Sequence, residues 1–303
     1  MKIGGVIIVS GKTFVITGGN SGLGFETAKQ LAKKNQDNVI ILGCRCLKKG
    51  HRAVEDIKQL TGNQNIEVIQ LDLCELESVK NFAEEIRKRG IIIDGLDNNA
   101  GISGTHTGLT KDGIDVVFQS NHLGHFLLTK LLLPYMAKDG RIVNISSDMH
   151  QPPYGKLVWK GAEILAYPTD DLKDDRSRYF YSKLCNLYLT YELNDRLRTE
   201  NSQITVCAFN PGFMGETNLS QGITKEQIEH VKHTMPERYG ELPVSAQAIA
   251  DILTDEQYMT SQARYYNHST NAKKSSELSY NKENAQELWE LSMKLVEKIL
   301  GKE

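Results

Sequence analysis

Thr13-Phe14-Val15-Ile16-Thr17-Gly18-Gly19-Asn20-Ser21-Gly22-Leu23-Gly24 passes from a short apolar run into a glycine-rich turn and then into an amphipathic pattern that lasts to Lys34. Glycine reaches positive φ without a Cβ clash and lets backbone come close to a ligand. A helix that opens directly after such a turn presents free N–H groups and the positive end of its dipole to an anion. Gly18, Asn20, Ser21, Gly22, Leu23 and Gly24 are therefore candidate contacts for a pyrophosphate. A tight strand-to-helix turn is all that the glycines alone require. The next strand end adds weight, because dinucleotide folds carry there an acid for NAD or an arginine for the extra phosphate of NADP. Arg45 lies 21 residues beyond Gly24 with no acid beside it, so NADP is preferred over NAD, with Lys48 as a second candidate partner. A solvated arginine at a strand end is the plain alternative for Arg45.

Working outward from this turn, apolar runs alternate with helix-period segments as far as about residue 210. Strands are expected at Thr13 to Ile16, Asn38 to Leu42, Ile66 to Gln70, Ile91 to Leu96, Arg141 to Ile145 and Ile204 to Phe209. Helices are expected at Leu23 to Lys34, Leu47 to Leu60, Glu75 to Arg89, Asn121 to Met136 and Tyr179 to Arg198. The strands are short and apolar on both faces, as in a parallel sheet covered by helices on each side. The fold class is α/β, a Rossmann-type doubly wound parallel sheet of about seven strands in a single domain over 1–303, with ligand-facing loops at one sheet edge. Two stretches outside the alternation, 150–178 and 213–242, are long for plain connections and are expected to cover the substrate. The first ten residues form either a hairpin with the Thr13 strand or a frayed end.

Of the 303 residues, 40% are apolar and 24% charged, which is ordinary globular composition. The net charge of −2 gives no footprint for nucleic acid. Apolar runs such as Val6 to Val9 and Leu131 to Leu133 are too short to span a bilayer. Met1-Lys2 before so short a run makes a poor signal peptide. Cys44, Cys46, Cys74, Cys185 and Cys207 form no CxxC pair and no zinc-spaced set, in keeping with reduced residues and a cytoplasmic location. No metal is expected.

Tyr179 and Lys183 are four residues apart and share one helix face, whereas Tyr181, Tyr188 and Tyr191 are followed at that spacing by Cys185, Glu192 and Asp195. A free phenol titrates near 10, and a neighbouring cation lowers it. Alone, such a pair is a common surface accident.

Its company changes the reading. Thr17 to Gly24, Asn98-Asn99-Ala100-Gly101, Ser146-Ser147, and Tyr179 with Lys183 follow one another in the order found in the short-chain dehydrogenase/reductase superfamily, which the sequence resembles. Asn121-His122-Leu123-Gly124-His125-Phe126, Arg141 to Ser147 with His150, Ser182 to Asn186, Pro211-Gly212 and Leu288-Trp289-Glu290 resemble the branch of retinol dehydrogenases and light-dependent protochlorophyllide reductases. The resemblance implies that Ser147 holds the substrate oxygen and that Tyr179 exchanges the proton. It implies too that Lys183 lowers the phenol and binds the nicotinamide ribose, while the Asn121 side chain supports a water relay to Lys183. Cofactor contacts implied in the same way are Asp72 and Leu73 at the adenine, Asn99, Ala100 and Gly101 at the ribose, and Pro211 and Gly212 after the sixth strand. Ser146 competes with Ser147 for the catalytic place, and the family puts the second serine there. Ser147 and Tyr179 are 32 residues apart, more than in the main branch, and the extra segment is expected over the substrate pocket. His122 and His125 lack a third ligand and are expected to pack within their helix.

Two positions depart from the pattern. Asp97 stands where the family has an aliphatic residue, and a buried carboxylate there costs several kcal/mol unless neutralised or hydrogen-bonded. Thr217 lies one position later than the family's carboxamide-contacting threonine. The implied activity is NADP-dependent interconversion of a carbonyl and an alcohol, on a small apolar substrate lined by Phe213, Met214, Leu219, Ile223 and Met235. The alternatives are a catalytically silent NADP-binding sensor or scaffold, against which the intact Ser147, Tyr179 and Lys183 argue, and photochemical ring reduction, for which no chlorophyll-specific feature is seen. Family members pair as dimers or tetramers through the helices at 121–136 and 179–198, although this branch includes monomers.

Overall fold

In the computed structural model of the chain, the described residues are 11–300 apart from 104–105, 154, 168–171, 173–174 and 221–222. The two readings of residues 1–10 therefore lie outside the described residues. Strands β1 (Thr13–Thr17), β2 (Val39–Cys44), β3 (Ile66–Gln70), β4 (Ile93–Asn98), β5 (Met136–Ile145), β6 (Thr205–Asn210), β7 (Arg264–Asn267) and β8 (Ala272–Lys273) form one sheet in the order β3-β2-β1-β4-β5-β6-β7-β8. All neighbours are parallel except the last pair. The sheet thus has eight strands where about seven are expected, because the two-residue β8 turns back on β7 and carries no periodic signal of its own. The order reverses between β1 and β4, which opens a crevice at the carboxyl edge.

Helices α1 (Gly22–Lys34), α2 (Leu47–Thr61), α3 (Leu76–Lys88), α4 (Val116–Phe118), α5 (Gly124–Leu132), α6 (Ala162–Ala166), α7 (Asp175–Thr199), α8 (Lys225–Thr234), α9 (Leu242–Thr254) and α10 (Lys282–Leu300) connect the strands or cover them. Residues of α1, α2 and α9 bury one sheet face around Phe14, Ile16, Ile40, Val143 and Phe209. The opposite core joins α3, α5, α7 and α10 around Val15, Leu96, Phe126, Tyr188 and Trp289.

The helix expected over Asn121 to Met136 is not continuous. A π-helical turn, Gln119–Leu123, lies between α4 and α5, a 3-10 turn follows at Leu133–Tyr135, and Met136 already belongs to β5. Pro134 cannot donate an N–H to a continuing helix. A Cβ on Gly124 would lie 2.8 Å from the Leu73 carbonyl oxygen, so the helix approaches the β3 end as closely as backbone allows.

Candidate active site

The carboxyl ends of β1 to β6 open into a cleft of about 1410 Å³. Its floor at one end is the glycine turn. Gly18 has φ +69°, in the left-handed region, and an added Cβ would come within 3.1 Å of Ala100. A Cβ on Gly24 would meet the Asn99 side-chain nitrogen at 2.5 Å, so this glycine permits close packing and does not line the cleft. The N-terminus of α1 has no side-chain cap and no acid in its first turn, which leaves it suited to an anion. Gly18, Asn20, Ser21, Gly22 and Leu23 all line the cleft.

At the neighbouring strand ends, Arg45, Asp72, Leu73, Asn99, Ala100, Gly101, Pro211 and Gly212 line it as well. Lys48 does not; Lys49 takes its place beside Arg45, because one step along the first turn of α2 rotates the side chain toward the opening. The Asp72 carboxylate accepts from the Cys74 N–H at 3.0 Å. The Asn99 side chain donates to the Thr17 carbonyl at 2.7 Å, fixing the end of β4 against the end of β1.

Ser147, Tyr179 and Lys183 come together at the other wall. Ser146 and Ser147 separate cleanly: the Ser146 hydroxyl donates to the Lys183 carbonyl at 2.8 Å, whereas Ser147 is hydrogen-bonded to the Tyr179 hydroxyl. The Lys183 Nζ donates to the Ile145 carbonyl at 3.1 Å and stands 5.5 Å from the Tyr179 ring centre. Burial pushes the Lys183 ammonium down to about 8. It pushes the Tyr179 hydroxyl up from its ordinary 10.0, against the opposing effect of the Ser147 hydrogen bond, and the Asp148 carboxylate raises it further. Burial dominates the phenol in this arrangement, in which the Lys183 ammonium is turned toward the Ile145 carbonyl.

Asn121 sits in the π turn behind this wall and does not line the cleft. Its side chain accepts from the Ile102 N–H at 2.8 Å and donates to the Ile102 carbonyl and the Ser182 hydroxyl, each at 2.9 Å. The side chain itself is therefore engaged by protein groups.

The described residues of 213–242 form the roof. Phe213, Met214, Leu219, Ile223 and Met235 all face the cleft, and Thr217 lines it opposite Gly22. Its hydroxyl donates to the Met214 carbonyl at 3.1 Å. Of the 150–178 segment, Pro153 and Arg176 line the cleft. Farther along it, Trp159 and Ala162 bond to Glu287 of α10, so this part packs away from the opening. Sequence reasoning missed two roof contacts and one behind the wall. Asn218 donates to the Ser21 hydroxyl at 3.2 Å, Arg238 pairs with Asp148 at 2.9 Å, and Ile102 clasps Asn121. Each joins segments far apart in the chain, and no local pattern announces them.

Asp97 lies fully buried in β4, with neither carboxylate oxygen partnered, and burial pushes it up to about 8. The shift favours the neutral carboxyl, and the strand runs through this position unbroken.

Comparison with known proteins agrees with this geometry. The short chain dehydrogenase family profile matches residues 12–159. The chain is 30% identical to the chloroplastic short-chain dehydrogenase TIC 32 A of Brassica napus, over 95% of this chain and 89% of that one. It is 36% identical to human retinol dehydrogenase 13 over 67% of this chain, and spans only 59% of that protein's length. A crystal structure of an uncharacterised protein from Mycobacterium paratuberculosis superposes with a TM-score of 0.73 at 30% identity, covering 94% of this chain and 92% of that one. A blue fluorescent protein from a metagenomic library, solved in complex with NADPH, shares the fold at 21% identity, covering 85% of this chain and 96% of that one, with a TM-score of 0.66. With the glycine turn, the Asn-Asn-Ala-Gly segment and the Ser-Tyr-Lys wall meeting at one cleft, and with that near full-length relative, the chain belongs to the short-chain dehydrogenase/reductase superfamily.

Proposed function

We propose that the protein is an NADP-dependent oxidoreductase that interconverts a carbonyl and an alcohol on a small apolar substrate. The observation that carries this reading is the placement of Ser147, Tyr179 and Lys183 on one wall of a cleft whose far end is the uncapped N-terminus of α1. Gly18 to Leu23 would hold the pyrophosphate, and Arg45 with Lys49 would take the additional phosphate that distinguishes NADP from NAD. Asp72 and Leu73 would face the adenine, and Asn99 to Gly101, Pro211 and Gly212 the nicotinamide half. When bound, the cofactor supplies or accepts the hydride.

The chain's own residues manage the proton. In the reducing direction the Ser147 hydroxyl and the Tyr179 hydroxyl donate to the carbonyl oxygen, and Tyr179 gives up its proton as that oxygen becomes an alcohol. Burial keeps the phenol protonated, which suits an acid, and the Lys183 ammonium stands close enough to stabilise the phenolate left behind. Asn121 keeps Ile102 and Ser182 in place beside this wall. Met149, Phe213, Leu219, Ile223 and Met235 give the roof its apolar character, which favours an apolar substrate. The free cysteines suit a reducing compartment such as the cytoplasm.

The test is the initial rate of NADPH and NADH oxidation with ketones, aldehydes and quinones in darkness, for the wild type and Arg45→Ala. Dark turnover favouring NADPH, with the preference lost in the variant, is the expected result. Cofactor binding with no turnover across the panel would favour a silent binding protein, and turnover only under illumination would favour photochemistry.

A further inference from the structure

His125 is fully buried and belongs to none of the roles assigned above, yet it touches both halves of the site. Its Nδ1 lies 3.1 Å from the Asn121 carbonyl oxygen and its Nε2 lies 2.9 Å from the Thr17 hydroxyl. We propose that His125 is a positioning residue which, as a neutral imidazole with its proton on Nδ1, ties the backbone of the π turn to the phosphate-binding turn.

The assignment follows from donor and acceptor chemistry. A carbonyl oxygen only accepts, so Nδ1 carries the proton. Nε2 of a neutral ring then only accepts, and the Thr17 hydroxyl, whose other acceptor is the Asp97 carbonyl at the longer distance of 3.4 Å, donates to it at 2.9 Å. With its hydrogen committed, the Thr17 oxygen accepts the Asn99 and Ala100 N–H groups, each at 2.9 Å. Asn99 and Ala100 line the cleft, and Thr17 opens the glycine turn. One ring thereby fixes the direction of its own two hydrogen bonds and links them, through the Thr17 oxygen, to the Asn99 and Ala100 N–H groups, so that a chain of four bonds runs from the main chain at Asn121 to the backbone around the cofactor end. Burial, reinforced by the nearby Lys183 ammonium, holds the imidazole down to about 4 against the opposing bond to Asn121, in keeping with the neutral form. His122, three residues earlier, differs. It meets Ser292 of α10 at 3.0 Å through Nε2, and its Nδ1 is unpartnered.

The two ring nitrogens predict two separable losses. In His125→Gln the amide oxygen reaches the place of Nε2 and keeps the Thr17 bond, while the link to Asn121 is lost. In His125→Asn the amide nitrogen reaches the place of Nδ1 and keeps the Asn121 link, while Thr17 is released. The inference rests on the proposed cofactor cleft, and its test reads binding apart from turnover. Fluorescence titration with NADPH should give His125→Gln a Kd within about twofold of wild type and His125→Asn a Kd raised about fivefold to tenfold, the scale of one hydrogen bond. In turnover of a carbonyl substrate, His125→Gln should lose about tenfold in kcat with KM unchanged, and His125→Phe should show both defects. Equal behaviour of the Gln and Asn variants in both measurements, or a wild-type His125→Phe, overturns the proposal.

An experiment on the unaltered chain decides the case even if variants fold poorly. Histidine-selective 15N spectra should show one imidazole protonated at Nδ1 only and unchanged from pH 6 to pH 8, absent from the spectrum of His125→Gln or, failing that, assigned through the Asn121 side of the network. A His125 protonated at Nε2, or titrating in that range, overturns the tautomer and the proposal with it. A wild type that binds NADPH with this tautomer but reduces no carbonyl would sink the enzymatic reading and leave the positioning role supported by the Kd values.

Discussion

Lys183, His125 and Asp97 are among the ionisable residues buried in the interior, and burial acts on each in the sense its charge dictates. Lys183 is pushed down to about 8, His125 down to about 4 and Asp97 up to about 8, all mainly by desolvation. For Asp97 the consequence is a stability that depends on pH. Its folded value lies above the ordinary 3.8, so between about 4 and 8 the native state holds a proton that the unfolded chain has released. Stability from this group is therefore complete below about 4 and declines as pH rises to about 8. Asp97→Asn keeps the shape without the ionisation. Thermal or denaturant unfolding should find the variant more stable than wild type by on the order of 5 kcal/mol at pH 8, a gain shrinking to about 1 kcal/mol near pH 4.5. A variant less stable at both pH values would show that the carboxyl has a partner after all. The sequence exposed this residue as an anomaly, because one acid interrupts an otherwise apolar strand. It could not reveal that both oxygens are unpartnered, since that depends on what α1, α9 and the flanking strands present to it.

Among the elements, the roof joins the two ends of the cleft. Asn218 reaches the glycine turn, and Arg238 reaches Asp148, the neighbour of Ser147. The Asp148–Arg238 pair is partly exposed, so its worth to global stability is small, under about 1 kcal/mol. Its local effect should be larger, because it fastens 213–242 to the loop after β5. In Arg238→Gln, thermolysin should cut within 213–242 about threefold faster while the global unfolding midpoint stays near wild type, as expected for a local opening. Unchanged cleavage would mean that the apolar roof contacts hold it without the ion pair. At this scale the sequence was readable where one element carries its own period. The Ile66–Gln70 strand was expected at those bounds, and α1 and α2 agree with expectation to within a residue at each end. It was opaque where tertiary packing sets the local geometry, as in the π turn at Gln119–Leu123 and the antiparallel β8. That Lys49 and not Lys48 lines the cleft has a similar reason, because the rotation of α2 relative to the sheet is not written in the spacing from Gly24.

In the whole molecule, α10 lies against the helices through which family members pair. Trp289 meets Phe126 of α5 edge-on at 5.0 Å, the Arg196 guanidinium of α7 stands 4.4 Å from the Trp289 ring, and Ser292 bonds to His122 at 3.0 Å. Leu288, Trp289 and Val296 are buried there, so apolar surface that could serve pairing is already covered within the chain. Multi-angle light scattering should give the monomer mass of 34.0 kDa, and a stable dimer would require a different face. The same convergence of distant segments underlies the chemistry: a turn at residues 17–24, a serine at 147 and a tyrosine at 179 act together only if the fold brings them to one cleft. Tyr179→Phe removes a single hydroxyl from that arrangement, and NADPH affinity and carbonyl reduction should be measured side by side on it. The account predicts NADPH binding close to wild type with kcat lowered at least about 100-fold. Turnover at the wild-type rate in Tyr179→Phe would contradict it.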